Sequence, residues 1–212
     1  MDIYTIISAG YDLLLGAWLK DGSTHPLTAA AGLIPDKRSR VLDMCCGTMS
    51  NGLAIAAKNP ANTVVGLDRS KPMLRQARRK IGKMHLDNVK LLCRDAADTG
   101  LRDGCFDHII LGLVLHECTE QLRRDILDEA KRLLSPDGTL IVIEWEREES
   151  ISRKLRFAPV YILEILTTPR FFKDFYHSDK EKYFERHGFI VRESIRCNYT
   201  TVISMSKREA GV

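Results

Sequence analysis

A chain of 212 residues with 44% apolar and 28% charged side chains has the composition of a globular protein, which excludes a disordered or low-complexity polymer. Its formal net charge of +4 arises from 32 Lys and Arg against 28 Asp and Glu spread along the whole chain, so no dense basic block marks a nucleic-acid arm. The longest apolar run, Ile109 to Leu115, is far short of the ~20 residues that cross a bilayer, and Met1-Asp2-Ile3-Tyr4 lacks a basic leader region, so a cytoplasmic location is expected. The six cysteines, at 45, 46, 93, 105, 118 and 197, form neither a C-x-x-C pair nor a Cys/His group at zinc spacing; reduced thiols and no metal are expected. The length suits a single domain over 1–212.

In chain order, the first 35 residues precede any strand and are expected to form helical cover. Short apolar runs then alternate with longer amphipathic ones, as in a parallel sheet with crossover helices. Val41 to Cys45 reads as the first strand, Asn51 to Asn59 as a helix closed by Pro60, and Thr63 to Leu67 as a second strand ending at Asp68. Ser70 is placed to cap the next helix, with Pro72 in its first turn and Met73 to Met84 as its body. Val89 to Cys93 is strand three. After an Asp103-Gly104 turn, the nearly continuous apolar run Phe106 to Leu113 is expected at the sheet centre, buried on both faces. Thr119 caps a helix to Leu134, Ser135 to Gly138 is a turn, and Thr139 to Trp145 is strand five. Ile151 to Tyr176 matches no sheet element and reads as helical cover. Ser178 with Glu181 makes a capping box, Gly188 stops that helix, and Phe189 to Ile195 with Thr200 to Met205 are close enough to require an antiparallel pair. The chain thus divides into 1–35, a core over 36–146, an insertion or lid over 147–177, and a C-terminal helix and hairpin over 178–212.

Ligands of open α/β sheets bind beyond the C-terminal ends of the strands, where strand order reverses. Three carboxylates fall near that edge: Asp43 in strand one, Asp68 ending strand two and Asp95 after strand three. The turn Cys45-Cys46-Gly47-Thr48-Met49-Ser50 keeps only the middle glycine of a dinucleotide-binding G-x-G-x-x-G, and Asp43 beside it would repel a pyrophosphate. A cationic ligand with an ammonium and a sulfonium fits instead. For adenosylmethionine, Asp68 is suited to the ribose hydroxyls, Asp95 and the Ala96 N–H to adenine, and Asp43 to the methionine ammonium. Leu67, Met73 and Ala96 are placed to cover adenine. Cys45, Gly47, Arg69 and Leu111 complete the expected cofactor-binding set.

The strings Val41-Leu42-Asp43-Met44-Cys45-Cys46-Gly47-Thr48 and Val64-Val65-Gly66-Leu67-Asp68-Arg69-Ser70-Lys71-Pro72-Met73-Leu74 resemble motifs of class I S-adenosylmethionine-dependent methyltransferases. Asp95-Ala96, Gly104 to Ile110 and Arg132 to Leu140 match later landmarks in order, so the resemblance covers roughly residues 38 to 146. The Cys-Cys-Gly-Thr variant is closest to the menaquinone and ubiquinone methyltransferase group, and Tyr11-Asp12 resembles a Tyr-Asp pair of its N-terminal helix, which adds Tyr11 to the cofactor set. The resemblance implies a Rossmann-like α/β fold, with a seven-stranded, mostly parallel sheet, an antiparallel C-terminal hairpin and helices on both faces. It implies a small-molecule acceptor, quinone-like or lipid-like. Cys45 and Met49 stand where the family usually has glycine, so Met49 could crowd the methionine end.

Methyl transfer from a sulfonium is an in-line displacement, and holding the acceptor in line supplies up to ~7–11 kcal/mol. If the acceptor must lose a proton, His116 is the leading catalytic candidate, following the central strand; Glu117 and Glu144 are alternatives. Residues 155–176 read equally as a lid or as helix packing. Their mixture of Arg153, Lys154, Arg156 and Arg170 with Phe157, Tyr161, Phe171 and Phe172 also permits peripheral membrane contact. Two other readings stand beside the enzyme: a non-catalytic adenosylmethionine-binding regulator, and an NAD-dependent oxidoreductase disfavoured by the missing glycines.

Overall fold

The computed structural model of the chain describes residues 25–167 and 169–208. The expected N-terminal cover before residue 25, including Tyr11 and Asp12, lies outside them. Among the described residues, one sheet contains β1 (Arg40–Met44), β2 (Thr63–Asp68), β3 (Val89–Cys93), β4 (Phe106–Gly112), β5 (Leu134–Trp145), β6 (Phe189–Cys197) and β7 (Thr200–Lys207). Their order is β3-β2-β1-β4-β5-β7-β6. The first five strands run parallel, whereas β7 lies antiparallel to both β5 and β6. Strand order reverses between β1 and β4, giving the Rossmann-like switch point and the antiparallel C-terminal hairpin that the sequence led us to expect.

The helices are α1 (Pro26–Gly32), α2 (Ser50–Lys58), α3 (Lys71–Met84), α4 (Glu120–Leu133), α5 (Ile151–Thr167), α6 (Pro169–Tyr176) and α7 (Lys180–Arg186). Alternation along each strand divides the apolar residues between two layers. On one face, Leu42, Met44, Ile109, Leu111, Leu140 and Val142 pack with Ile126, Leu127, Ala130 and Leu133 of α4. On the other, Val41, Val64, Ile110, Ile141 and Ile143 meet Leu53, Ile55 and Ala56 of α2, Leu74 and Ala77 of α3, and Ala29 to Ala31 of α1. A third, aromatic cluster of Trp145, Phe157, Phe172, Tyr176 and Tyr199 joins α5 and α6 to the ends of the sheet.

Two local readings need correction. The helix after 178 is capped by Asp179, whose side chain accepts the Lys182 N–H at 3.1 Å, while the Ser178 hydroxyl instead donates to the Phe175 carbonyl at 2.7 Å. Two adjacent residues can cap, and the bond that closes α6 draws Ser178 away. The Ser135 to Gly138 turn lies inside β5: Phe106 pairs with Leu134 and His108 with Thr139, so the extra residues bulge out of the ladder.

Met49 turns into the layer beneath its loop. Its side chain is fully buried, and atoms of it would lie 2.7 Å from a Cβ at Gly52 and 2.8 Å from one at Gly66. Two glycines therefore make room for Met49 in the layer beneath α2 and α3. Gly66→Ala should overpack this site and cost about 1–3 kcal/mol. Gly82→Ala, on α3 with open space around it, should stabilise by about 0.5–1 kcal/mol. Urea midpoints of the two variants check this; equal midpoints would remove the close packing of Met49.

Candidate functional site

The segment joining β1 to α2 is built by left-handed backbone. Cys45, Gly47 and Met49 have φ of 58°, 52° and 66°, a region that costs a side-chain-bearing residue about 1–2 kcal/mol. The left-handed spacing of a glycine-rich loop is thus retained with a glycine at only the middle of the three positions. Met49 recovers part of the cost by burial and Cys45 by packing against the core. Burial, then the Asp68 charge, pushes the Cys45 thiol well up, and burial with Asp43 does the same to Cys46, which disfavours the thiolate at both.

Asp43 and Asp68 meet this loop from below. The Asp68 Oδ2 accepts the Gly47 N–H at 2.8 Å and its Oδ1 accepts the Ser70 N–H at 2.7 Å. A carboxylate has about four lone-pair sites, so two remain for a ligand. Asp43 is fully buried, and its Oδ2 accepts the Gly52 N–H at 2.8 Å at the start of α2. Burial raises its pKa to about 7, the Gly52 N–H opposing the rise and the Asp68 charge adding to it. Its Oδ1 has no hydrogen-bond partner among the described residues. A buried acceptor of this kind is costly alone and is satisfied by a cationic group.

The remaining expected cofactor residues surround this pair unequally. Met73 is half-buried in the first turn of α3, whose start is capped by the Ser70 hydroxyl at 3.4 Å from the Met73 nitrogen. Arg69 and Asp95 are exposed; Asp95 Oδ1 accepts the Ala97 N–H at 2.9 Å. Ala96 and Leu111 are buried in the layer that also holds Met44 and Leu67. Tyr11 lies outside the described residues. Sequence reasoning did not find Lys80, whose ammonium donates to Thr48 Oγ1 at 2.8 Å and Ser50 Oγ at 3.2 Å, tying α3 to the loop. It also missed the reason for Gly112, where a Cβ would meet the Asn51 amide at 2.4 Å.

At the ends of β4 and β5 the second group assembles. His116 is 1% exposed, with Nδ1 at 2.7 Å from Glu144 Oε2. Glu144 Oε1 accepts the N–H groups of Val114 and Leu115 at 3.1 and 2.8 Å. The His116 Nε2 lies 3.4 Å from Glu164 Oε2 and 4.0 Å from Glu117 Oε1. Glu164 Oε1 accepts the Trp145 indole N–H at 3.2 Å. Phe172 closes the remaining side, edge-on to the imidazole at 5.7 Å. Burial lowers the His116 pKa, but Glu144 and Glu164 together outweigh it, and the net direction is well upward. Both carboxylates thus favour the charged ring, and His116, expected as the proton acceptor, stands buried between them. Glu164 was missed because it lies far away in sequence on a helix otherwise read as cover.

A protein-family profile described as a methyltransferase domain matches residues 41–138. The demethylmenaquinone methyltransferase of Bacillus cytotoxicus is 32% identical over 145 residues, 68% of this chain and 59% of that protein. The protein of the same name from Geobacillus sp. is 34% identical over 109 residues, 51% of this chain and 46% of that one. The chain therefore spans about half the length of these relatives. Among solved structures, a SAM-dependent methyltransferase from Aquifex aeolicus superposes with a TM-score of 0.61 at 20% identity, over 84% of this chain and 88% of that one. The 1,6-didemethyltoxoflavin-N1-methyltransferase of Burkholderia thailandensis, with S-adenosylhomocysteine bound, gives 0.66 at 12% identity over 98% and 88%. These structures share the fold.

The raised Asp43 pKa makes a stability prediction. The unfolded chain releases this proton near pH ~4 and the folded chain only near pH 7, so stability falls across that interval and stays lowered above it. Asp43→Asn removes the decline. The variant should match the wild type at pH 4 and exceed it at pH 8 by at most ~4 kcal/mol. Thermal unfolding at the two pH values measures this, and a difference independent of pH would remove the buried-carboxyl reading.

Proposed function

The chain carries a methyltransferase domain of class I, the S-adenosylmethionine-dependent type, and from that premise we propose that it methylates a small quinone-like or lipid-like acceptor. The observation that carries the donor side is the buried, unpartnered Asp43 Oδ1 under a left-handed loop. Adenosylmethionine would supply a methyl group already activated on a sulfonium. Asp43 would hold its ammonium, and the spare lone pairs of Asp68 its ribose hydroxyls. Asp95 and Ala96 would meet the adenine, with Met73 against its face; Cys45, Gly47, Arg69 and Leu111 shape the surrounding walls. Tyr11 belongs to the same proposed set. The positive end of α2 faces Asp43 through Gly52 and stabilises its ionised form once a cation is beside it.

The acceptor class rests on the named relatives, 32% and 34% identical. A lipid-like acceptor also agrees with the outer face of α5, where Ile151, Leu155 and Leu166 are 76%, 71% and 75% exposed and stand near exposed Lys154 and Arg156. The aromatic residues Phe157 and Phe172 face inward instead and pack as core. Membrane contact through α5 would therefore be aliphatic and basic, as on an interfacial helix.

Calorimetric titration with adenosylmethionine and adenosylhomocysteine, with NAD as control, tests the donor site. Both sulfur ligands should bind, NAD should not, and Asp68→Ala should weaken binding at least 10-fold. Methyl transfer to reduced quinones should then yield adenosylhomocysteine; binding without turnover on any quinol, phenol, amine or thiol would leave a non-catalytic module. Flotation with anionic vesicles should recover the wild type and lose Leu155→Ser/Leu166→Ser, whereas equal recovery would remove α5 as the contact.

A further inference from the structure

We propose that His116, Glu117 and Glu164 form a binding site for one divalent transition-metal cation at the ends of β4 and β5. The three side chains present Nε2 and one carboxylate oxygen each, and these atoms lie within 4.8 Å of one another. The decisive feature is the state of His116. Its Nδ1 is engaged by Glu144 at 2.7 Å, which sets the tautomer and turns the other ring nitrogen toward the two remaining carboxylates. That Nε2 is buried and has no well-formed hydrogen bond among the described residues. Its separation of 3.4 Å from Glu164 Oε2 is long for a charge-assisted hydrogen bond, for which about 2.7–2.9 Å is usual. It suits two ligands of one tetrahedral cation, because bonds of ~2.0–2.1 Å put neighbouring donor atoms about 3.3–3.4 Å apart.

The surroundings fit the same reading. A metal-bound imidazole commonly donates its other N–H to a carboxylate, and Glu144 stands in that place, itself fixed by two backbone N–H groups. Glu164 is held by the Trp145 indole at its other oxygen, so its Oε2 is directed at Nε2 rather than free to turn. Three carboxylates converge on one imidazole in a largely dry pocket, and a dication would offset that excess of negative charge. One nitrogen and two carboxylate oxygens suit Zn²⁺, Fe²⁺ or Mn²⁺ better than Ca²⁺, which takes six to eight oxygens. Glu117, 32% exposed in its side chain, is the ligand at the solvent end and needs the largest adjustment, from 4.0 Å.

Bound there, the cation would fasten α5 to the centre of the sheet and make His116 a ligand in place of the base expected from its position. Three protein ligands leave a further position for an oxygen anion, water or the ionised hydroxyl of an acceptor. Only that last assignment rests on the methyltransferase reading above; the site itself rests on the side chains.

The test is titration of tag-free, chelator-treated full-length protein with Co²⁺, followed by visible absorption and calorimetry, with Zn²⁺ as competitor and adenosylhomocysteine binding measured on the same samples. One saturable equivalent of Co²⁺ is expected, displaced by Zn²⁺ and weakened at least 10-fold by Glu117→Gln and by Glu164→Gln. Glu144→Gln should weaken it about 10–100-fold through the imidazole. Glu117→Gln, the most exposed of these changes, should retain the wild-type circular dichroism spectrum and so separates loss of a ligand from loss of the fold. Absence of saturable binding, binding unchanged in both ligand variants, or a thiolate-to-cobalt charge-transfer band showing capture by cysteines would each overturn the site. Cobalt binding without adenosylhomocysteine binding would uphold it and sink the donor-site reading instead.

Discussion

The Asp68 carboxylate accepts one backbone hydrogen bond at each oxygen, from Gly47 on one side and from Ser70 on the other. That single side chain joins the loop leaving β1, which borders the switch point, to the turn leaving β2. The Cys46 N–H, bonded to the Leu67 carbonyl at 2.9 Å, continues the parallel ladder two residues past the end of β1 and holds the loop to β2. Charge-assisted bonds of this kind are roughly twice as strong as neutral ones, and here they fix backbone rather than mobile side chains. The donor-side wall is therefore set by short-range connections between consecutive βα units. Asp68 can still receive a ligand because its remaining lone pairs are not consumed by that work.

The loop it holds departs from the glycine-rich form and keeps the conformation. Glycine is favoured at positive φ because a Cβ collides with the following carbonyl. Cys45 and Met49 accept that strain, and the structure shows the compensation at Met49: absent side chains at Gly52 and Gly66 open the space that its thioether fills. Gly47 stays in the turn at φ 52°, and two glycines in the layer beneath give Met49 its space. A substitution that reads as a lost motif residue in one dimension is a relocated cavity in three.

That relocation explains what the sequence could and could not reveal. The strands themselves, the central position of the run Phe106 to Leu113 and the carboxylates at 43, 68 and 95 were legible, because short apolar runs and acidic residues after strands are local signals. The direction of the Met49 side chain was not, since it depends on Gly66 in another strand. Ser178 and Asp179 are both competent caps, and the choice between them turned on a bond to Phe175. Glu144 carried a readable sign, a lone carboxylate within the otherwise apolar run Leu140 to Trp145. Glu164 carried none: on α5 it is one acid on a helix with exposed Leu and Ile, and only its packing beside Trp145 and His116 gives it a role.

The two halves of the site consequently rest on different physics. The group around Asp43 and Asp68 is made of turns between neighbouring elements, so its geometry follows once the sheet forms. The group around His116 is assembled from β4, β5, α5 and α6 through aromatic packing: Phe157 lies 5.1 Å from Trp145 and 5.2 Å from Tyr199, and Phe172 is 5.2 Å from Tyr176. Dispersion and area burial are non-directional, so such a cluster alone would tolerate several docked positions of α5. Directional contacts from this helix inward select one, among them Glu164 to the Trp145 indole and toward His116, and Arg153 to the Asn198 carbonyl. Buried polar contacts that contribute little net stability can still fix register in this way. The surroundings of His116 therefore take their shape from contacts between residues far apart in sequence, whereas the loop around Asp43 and Asp68 is held by neighbouring βα units.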